Sequence, residues 1–146
     1  MSSRRRLARE WALQILFGLD YGNKLEPEVF ERFWASAEEE ATPSMKSYTE
    51  DCVKGVVRER RSLDASIERY AENWSLDRMA RVDLNVMRIA MYELVHRDDI
   101  PAAVSINEAV DIVRDFGSNE SGKFVNAILD RAKRELDVSA TDNKDA

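Results

Sequence analysis

Apolar residues recur every three or four positions along almost the whole chain, which is the spacing of one face of an α-helix. Within the first such segment, residues 4–20, a single seam contains Leu7, Trp11, Ile15 and Leu19. No segment shows the sustained alternation of apolar and polar positions, rich in β-branched residues, that is typical of a strand. The pattern therefore predicts an all-α protein.

Turn and capping residues divide this pattern into seven predicted helices. Pro27 opens the second helix, and Thr42 followed by Pro43 is typical of the N-cap and first position of the third. Ser62 can cap a fourth helix, which continues to Trp74.

The last three predicted helices include the most apolar part of the chain. Residues 82–95 are apolar over most of the helix circumference, so we expect this fifth helix at the centre of the fold. Ser105 with Glu108 forms a capping box for the sixth helix, and Gly117 supplies a left-handed stop. The seventh helix begins at Ser121.

Length and composition suit one compact domain. The chain has 146 residues, of which 44% are hydrophobic, and only five are glycines. We assign the domain to residues 1–136, because the sequence after Leu136 becomes small, polar and acidic. Residues 137–146 are predicted to be a disordered acidic tail.

The same composition indicates a reducing compartment. Cys52 is the single cysteine, which excludes an internal disulfide. The longest stretch without a charge, residues 11–19, is far short of the ~20 apolar residues that a membrane span requires. No small-residue cleavage site follows the N-terminal arginines, as a secretory signal would require. The sequence therefore predicts a cytoplasmic protein without a membrane partner.

Charge is distributed unevenly along the chain. The net charge is −6, but the first 14 residues contain four arginines and one glutamate, so the remainder carries −9. An arginine cluster in an acidic protein is either a polyanion contact or a solvated helix start. A second cluster, Arg58, Arg60 and Arg61, falls where the third helix is predicted to end. There the helix dipole favours cations, and a structural role is the stronger interpretation.

The residues of a catalytic site are missing from the sequence. It contains no Gly-rich phosphate loop, no set of His and Cys at metal-ligand spacing, and no nucleophile with a plausible base. The only histidine, His96, falls at a predicted helix end, where a capping or surface role is expected. We therefore expect a protein that binds rather than catalyses, without a metal or cofactor.

Two groups of residues have the chemistry of nucleic-acid recognition. The first is the set of opening arginines with Phe17 nearby, since guanidinium groups pair with phosphates and an aromatic ring can stack on an unpaired base. The second is the start of the seventh helix, where free backbone N–H groups, Lys123 and Phe124 could bind a nucleotide. On physical grounds alone Phe124 is more often a core residue, so both roles stay open.

Four segments of the chain resemble one known family. They are Arg4-Arg5-Arg6-Leu7-Ala8-Arg9-Glu10, Leu84-Asn85-Val86-Met87-Arg88-Ile89-Ala90-Met91-Tyr92-Glu93-Leu94, Ile100-Pro101 with Ile106-Asn107-Glu108-Ala109-Val110, and Lys123-Phe124-Val125-Asn126-Ala127-Ile128-Leu129-Asp130. In order and spacing these segments resemble the bacterial transcription antitermination factors of the NusB family, over about residues 4–136. The chain departs from the family pattern at Ala127, often Gly there, and at Trp11, often a smaller residue.

The resemblance implies a fold and an activity. The implied fold has seven helices in two small bundles, the first three packed against the remaining four. The implied activity is binding: NusB and the small-subunit ribosomal protein NusE together hold single-stranded boxA RNA. Within an antitermination complex they let RNA polymerase read through terminators, chiefly in ribosomal RNA operons.

The resemblance also implies which residues bind. On the RNA side the matching residues are Arg4, Arg5, Arg6, Arg9, Phe17, Tyr70, Arg88, Glu120, Ser121, Lys123 and Phe124. On the NusE side, where the match rests on spacing alone, they are Asp77, Arg78 and Asp83.

Two alternatives belong to other functional classes. The same fold occurs as the leading domain of certain RNA cytosine methyltransferases, but this interpretation requires the sequence to be a fragment. A bundle that binds only proteins is the other alternative, and in it the arginines would be incidental.

Overall fold

Helices account for all the regular secondary structure in the part of the chain that the structure describes. The computed structural model describes residues 3–22, 24–37 and 40–145, with side chains from residue 4 to residue 137. The elements are α1 (Ser3–Leu19), α2 (Pro27–Ser36), α3 (Pro43–Tyr70), a 3-10 turn (Leu76–Arg78), α4 (Arg81–His96), α5 (Ala102–Phe116) and α6 (Asn119–Asp145). The predicted all-α class is confirmed. No described helix is both long and apolar enough to cross a bilayer.

Two of the predicted helix starts are confirmed. Pro27 occupies the first position of α2, and Pro43 that of α3. The hydroxyl of Thr42 accepts a hydrogen bond from the Met45 N–H at 3.2 Å, which satisfies a backbone donor that the first turn leaves unpaired.

The predicted break at Ser62 is wrong. Helix α3 continues through this exposed serine to Tyr70, so the predicted third and fourth helices are one helix of 28 residues. The buried face continues without interruption from Val56 to Leu63 and Ile67, at spacings of seven and four residues. A serine on the solvent side does not interrupt such a face. The seven predicted helices are therefore six α-helices and a 3-10 turn within the described residues.

The longer α3 also changes the explanation of the second basic cluster. Arg58, Arg60 and Arg61 lie in the middle of α3, so the dipole of a helix end is not the reason for their position. Two of them have specific partners instead. The Arg60 guanidinium lies 3.3 Å from a carboxylate oxygen of Asp20, and that of Arg58 lies 3.2 Å from Glu59.

The sequence predictions for the two ends of α5 are also wrong. Pro101, not Ser105, is the N-cap of α5, and Ser105 is buried with its hydroxyl bound to another helix. Gly117 has a φ of −136°, which is not left-handed, and its N–H donates to the Val113 carbonyl at 2.8 Å. Among the described residues, positive φ values after a helix occur instead at Gly22, after α1, and at Glu72 and Asn73, after α3.

Helix α4 is central, as its apolar circumference predicts. It packs against α1, α3, α5 and α6. Leu84, Met87 and Met91 are almost completely buried on it. Gly55 lets α3 approach closely, because a Cβ added there would lie 2.2 Å from the ring of Tyr92.

Polar contacts along α4 fix the directions of its neighbours. Arg9 binds Glu93 and Asp20 binds Asn85, so α1 runs antiparallel to α4. Helix α5 also starts beside Glu93 and is antiparallel to α4. The last turn of α1 therefore lies beside the start of α4. This arrangement puts the N-terminal arginines at one end of the molecule and Phe17 towards the other.

The predicted tail overlaps the end of α6. The backbone of α6 is helical as far as Asp145, and Ala146 lies outside the described residues. Disorder of residues 137–146, and their separation from a domain at 1–136, stay predictions.

Candidate functional site

The four arginines at the start of α1 have different environments. Arg4 and Arg5 are exposed. Arg6 is partly exposed and forms ion pairs with two carboxylates of α5, Glu108 and Asp111, the second at 2.9 Å. Arg9 is buried, with 3% of its surface exposed.

Arg9 is the centre of a buried polar cluster. Its Nε and Nη2 donate to the two carboxylate oxygens of Glu93, each at 2.9 Å. Glu93 also accepts hydrogen bonds from the Tyr48 hydroxyl and, at 2.7 Å, from the Ser105 hydroxyl. We call these four residues the Glu93 cluster. It connects α1, α3, α4 and α5, and it leaves Arg9 without access to an external phosphate.

Within the Glu93 cluster, electrostatics keep the Arg9 guanidinium charged and the Tyr48 phenol neutral. Burial opposes the charged form of Arg9, but the hydrogen bonds and charge of Glu93 outweigh burial and raise the pKa of the guanidinium. Burial and the Glu93 carboxylate raise the pKa of Tyr48 as well, so the phenol stays a neutral donor. Burial likewise raises the pKa of the Cys52 thiol.

Arg5 lies above the same tyrosine on the solvent side. Its guanidinium is 4.6 Å from the centroid of the Tyr48 ring, and the guanidinium of Arg97 is 5.4 Å from it. These residues line a cleft of about 370 Å³ together with Ser44 and Ser47. Arg97 pairs with Asp99 and Asp51, whereas no ion pair is described for Arg5. Arg5 is thus an exposed cation without a described ion pair, although its charge acts on Asp99 and Asp51 also lines the cleft.

Arg88, predicted on the RNA side, is buried in a second polar cluster. Its Nε and Nη2 donate to Asp64 at 2.7 and 3.0 Å, and its Nη1 donates to Asn85 at 3.0 Å. Asp20 lies 3.6 Å away. Only 2% of Arg88 is exposed, and it borders a cavity of about 300 Å³. Neither Asp20 nor Asp64 carries a sequence signal that would identify it as the partner of Arg88.

Two pairs of aromatic residues keep part of their surface exposed. Phe17 is partly exposed and lies 5.4 Å from the ring of Tyr21, which is 71% exposed. Phe124, near the start of α6, is half-buried and packs edge-to-face against Trp74 with centroids 6.0 Å apart. Trp74 is 50% exposed. Trp74 was not among the binding residues predicted from the sequence, although an aromatic residue in the short link after α3 could have indicated one.

The start of α6 is held by hydroxyl groups. The Ser118 hydroxyl accepts from the Ser121 N–H at 3.1 Å, and the Ser121 hydroxyl donates to Asp83 at 3.1 Å. Glu120 and Lys123 on the same turn are exposed.

The residues predicted to bind a partner have different exposures. Asp77 and Arg78 are exposed on the 3-10 turn. Asp83 is only 7% exposed, and burial raises the pKa of its carboxyl group. Tyr70 is half-buried, and its carbonyl accepts a hydrogen bond from Arg131 at 2.8 Å.

The predicted RNA residues that keep exposed surface lie mostly on α1 and at the start of α6. Arg6, Leu13 and Phe17 are spaced seven and four residues apart, so they share one stripe of α1, and Arg6 shows that this stripe faces α5. From Arg5 to Phe17 the helix rises ~18 Å. For the proposal below, we give the name RNA face to seven predicted residues that keep part of their surface exposed, namely Arg4, Arg5, Arg6, Phe17, Ser121, Lys123 and Phe124. Arg9 and Arg88 are buried and are not part of it.

The chemistry of this surface is that of a binding site. Among the described residues no group of His, Cys, Asp and Glu is placed to hold a metal ion. Its exposed groups include cations and aromatic rings, which suit phosphates and bases, and the exposed Glu120 lies on the same turn as Lys123.

Comparison with known sequences gives a consistent result. Residues 6–134 match the NusB family. The chain is 45% identical over 129 residues to the transcription antitermination protein NusB of Myxococcus xanthus, covering 87% of this chain and 92% of that protein. It is 44% identical to the protein of the same name from Geobacter sulfurreducens, covering 86% and 91%.

Comparison with solved structures agrees. NusB of T. maritima superposes with a TM-score of 0.79 at 35% identity, covering 90% of this chain and 91% of that one. A chain in the crystal structure of the antitermination factors NusB and NusE in complex with dsRNA has a TM-score of 0.81 at 24% identity, covering 92% and 99%, and shows the same fold. Together with the match over residues 6–134, these findings establish that the chain belongs to the NusB family.

Proposed function

We propose that this chain is a transcription antitermination factor. It binds single-stranded boxA RNA together with the ribosomal protein NusE, in an RNA polymerase complex in the cytoplasm, and it carries out no catalytic step. The relatives at 44–45% identity are named as antitermination proteins, and the alignments cover about nine-tenths of each. This coverage favours an antitermination factor over the leading domain of an RNA methyltransferase.

The observation that carries the proposal is the pair of exposed arginines at the start of the RNA face. The protein has a net charge of −6, yet Arg4 and Arg5 are exposed at the first turns of α1, without a described ion pair. Phosphates of a single strand would bind these guanidinium groups. Arg6 would join them by exchanging Asp111, which is itself half exposed, for a phosphate.

The aromatic end of the RNA face would bind bases. Phe17 and Phe124 each keep part of the ring exposed, and unpaired bases stack on such rings. Lys123 and Ser121 would bind the backbone near Phe124.

Arg9 and Arg88 would support the RNA face without touching RNA. Both are at most 3% exposed, and carboxylates occupy their donors. Their role in the proposal is to hold α1 against α4, which fixes the direction of the exposed arginines.

The acidic remainder of the chain suits a basic partner. It carries −9, and a basic ribosomal protein docked on it would lower the repulsion of RNA and lengthen the RNA track. We place this contact at the exposed Asp77 of the 3-10 turn rather than at the adjacent Arg78, because a basic partner would be repelled by Arg78. Asp83 would act indirectly, since it is buried against Ser121.

A titration with a short boxA-like RNA tests the proposal. The fraction bound is measured against a scrambled RNA, at two salt concentrations, with and without saturating NusE. Coupling between two ligands is typically 1–3 kcal/mol, so NusE should tighten RNA binding by about 5- to 150-fold. Equal affinity with and without NusE would contradict the coupling. Failure to bind any RNA would favour a bundle that binds only proteins.

Matched charge variants locate the site. Arg5→Ala should weaken boxA binding, whereas Arg32→Ala, which removes one exposed arginine on α2, should not. Asp77→Lys should weaken NusE binding and leave the affinity for RNA alone near its original value. It is preferable to charge reversal at Asp83, because Asp77 is exposed and Asp83 is not.

A further inference from the structure

Trp74 differs from the other two tryptophans in its exposure. Trp11 is 5% exposed, and Trp34 is partly buried with its indole N–H donating to Glu50 at 2.9 Å. Trp74 is 50% exposed, and the described residues include no acceptor for its indole N–H. Tryptophan is enriched at binding interfaces, because one ring combines a large apolar area with a polar N–H. A half-exposed tryptophan is therefore a candidate contact residue.

The turn after α3 holds Trp74 in place. Glu72 and Asn73 have φ values of 36° and 61°, in the left-handed region that side chains rarely adopt. Arg131 of α6 donates to the Tyr70 carbonyl at 2.8 Å and pairs with Glu72 at 3.7 Å. These contacts attach the turn to α6 and direct Trp74 towards Phe124.

The surroundings of Trp74 combine aromatic and cationic groups. Its ring meets Phe124 at 71°, edge-to-face, with centroids 6.0 Å apart. The Arg78 guanidinium lies 5.9 Å from the Trp74 ring centroid, and Lys123 precedes Phe124 on α6. Both cations are exposed, and no ion pair is described for either. An aromatic face beside two available cations suits a nucleotide: the ring takes the base, and the cations take the flanking phosphates.

Position favours RNA over a protein as the ligand of this ring. Phe124 belongs to the RNA face, and Trp74 contacts Phe124 directly, so a strand that reaches Phe124 is within reach of Trp74. A basic protein segment, in contrast, would be repelled by Arg78 and Lys123.

We propose that Trp74 is a base-stacking platform that extends the RNA face beyond Phe124. One unpaired base of the strand lies on the indole, while Arg78 and Lys123 bind the phosphates on either side. This inference rests on the proposed RNA-binding function and adds to it a residue and a direction for the strand.

Substitution at Trp74 is the first test. The affinity of labelled boxA-like RNA is measured for the full chain, alone and with saturating NusE. A stacked base is typically worth a factor of about 5 to 150, so Trp74→Ala should weaken RNA binding by that factor. Trp74→Phe keeps a ring and should lose little. The salt dependence should stay unchanged in both, whereas Lys123→Ala should flatten it by roughly 0.7.

A base-by-base scan identifies the stacked nucleotide. RNAs that lack one base each are titrated against the wild type and Trp74→Ala. For the wild type, removal of one particular base should lower the affinity. For Trp74→Ala, removal of the same base should cause no further loss, because the partner of that base is absent. Tryptophan fluorescence gives an independent signal. RNA should quench the fluorescence of the wild type, and this quenching should be missing in Trp74→Phe.

The outcomes separate this inference from the proposed function. RNA binding by the wild type, combined with unchanged affinity and quenching in both variants, would overturn the platform and leave the function standing. Loss of NusE binding with unchanged binary RNA affinity in Trp74→Ala would assign the ring to the protein partner instead. Failure of the wild type to bind RNA, with and without NusE, would overturn both. If Trp74→Ala does not fold, the quenching difference with Trp74→Phe decides.

Discussion

Arg5 and Arg9 lie one helical turn apart on α1 and interact with the same tyrosine, yet their environments are opposite. Arg5 is exposed, with its guanidinium 4.6 Å from the Tyr48 ring centroid, and Arg9 lies on the buried side at 5.4 Å. The two arginines differ because Glu93 lies within reach of Arg9 only. A carboxylate inside the fold converts one residue of a basic cluster into a structural element, and its neighbour stays available to a ligand.

The energetics of the two sites differ in the same way. Removing one member of a buried ion pair typically costs 3–5 kcal/mol of folding free energy, because the other charge stays buried without a partner. Changes at an exposed position away from such features usually stay within about 0.5 kcal/mol. We therefore expect the Glu93 cluster to govern stability, while Arg5 stays available for the proposed binding.

The largest expected effect is that of Arg9→Ala. It should lower the free energy of unfolding by about 3–5 kcal/mol, because Glu93 would be left as a buried charge beside Tyr48 and Ser105. Arg5→Ala should change it by less than about 0.5 kcal/mol. Urea denaturation of both variants gives the comparison. Equal losses in the two would show that the Glu93 cluster does not hold the fold.

A smaller loss is expected from Gly55→Ala. The added methyl group would lie 2.2 Å from the Tyr92 ring, so α3 and α4 would have to separate near the Glu93 cluster. Such overpacking typically costs 1–3 kcal/mol. Gly18→Ala is the matched control, because a Cβ there meets nothing within 4 Å and alanine favours a helix. Urea denaturation measures both variants. A denaturation midpoint that rises in both would contradict the close approach of α3 and α4.

Next in size is the effect of Arg5→Ala on RNA binding. Removing one cation that binds a phosphate of a single strand should reduce the slope of log affinity against log salt by roughly 0.7. The decrease in affinity should be similar for all RNA sequences, because phosphates carry no sequence information. Titrations at several salt concentrations measure the slope. An unchanged slope would remove Arg5 from the RNA face.

The smallest effect concerns pH and the third guanidinium over Tyr48, that of Arg97. Hydrogen bonding to Arg97 lowers the pKa of Asp99 to about 2. This contribution to stability should be present above the usual pKa of an aspartate and should disappear as the pH falls through about 2. The melting temperatures of wild type and Asp99→Asn should therefore differ at pH 5 and converge towards pH 2. A constant difference would contradict the assignment.

The fold was largely predictable from the sequence, whereas the environments of the arginines were not. Helical periodicity is a local property, and it was sufficient for the all-α class and for the central position of α4. Glu93, the partner of Arg9, lies in α4, 84 residues later in the sequence, and no rule of local spacing connects the two residues. The capping signals at Ser62 and Ser105 failed because a serine also suits a solvent-facing or a buried hydrogen-bonded site.

The unbroken course of α3 has a mechanical consequence. The helix begins near the cleft beneath Arg5 and ends at the turn that carries Trp74, and from Tyr48 to Tyr70 it rises ~33 Å. A break in the helix at Ser62 would have let the two halves bend relative to each other, whereas a continuous helix holds its two ends at a fixed distance. In the proposed complex this helix would fix the distance between the two ends of the bound strand, so an oligonucleotide too short for the span would engage one end only.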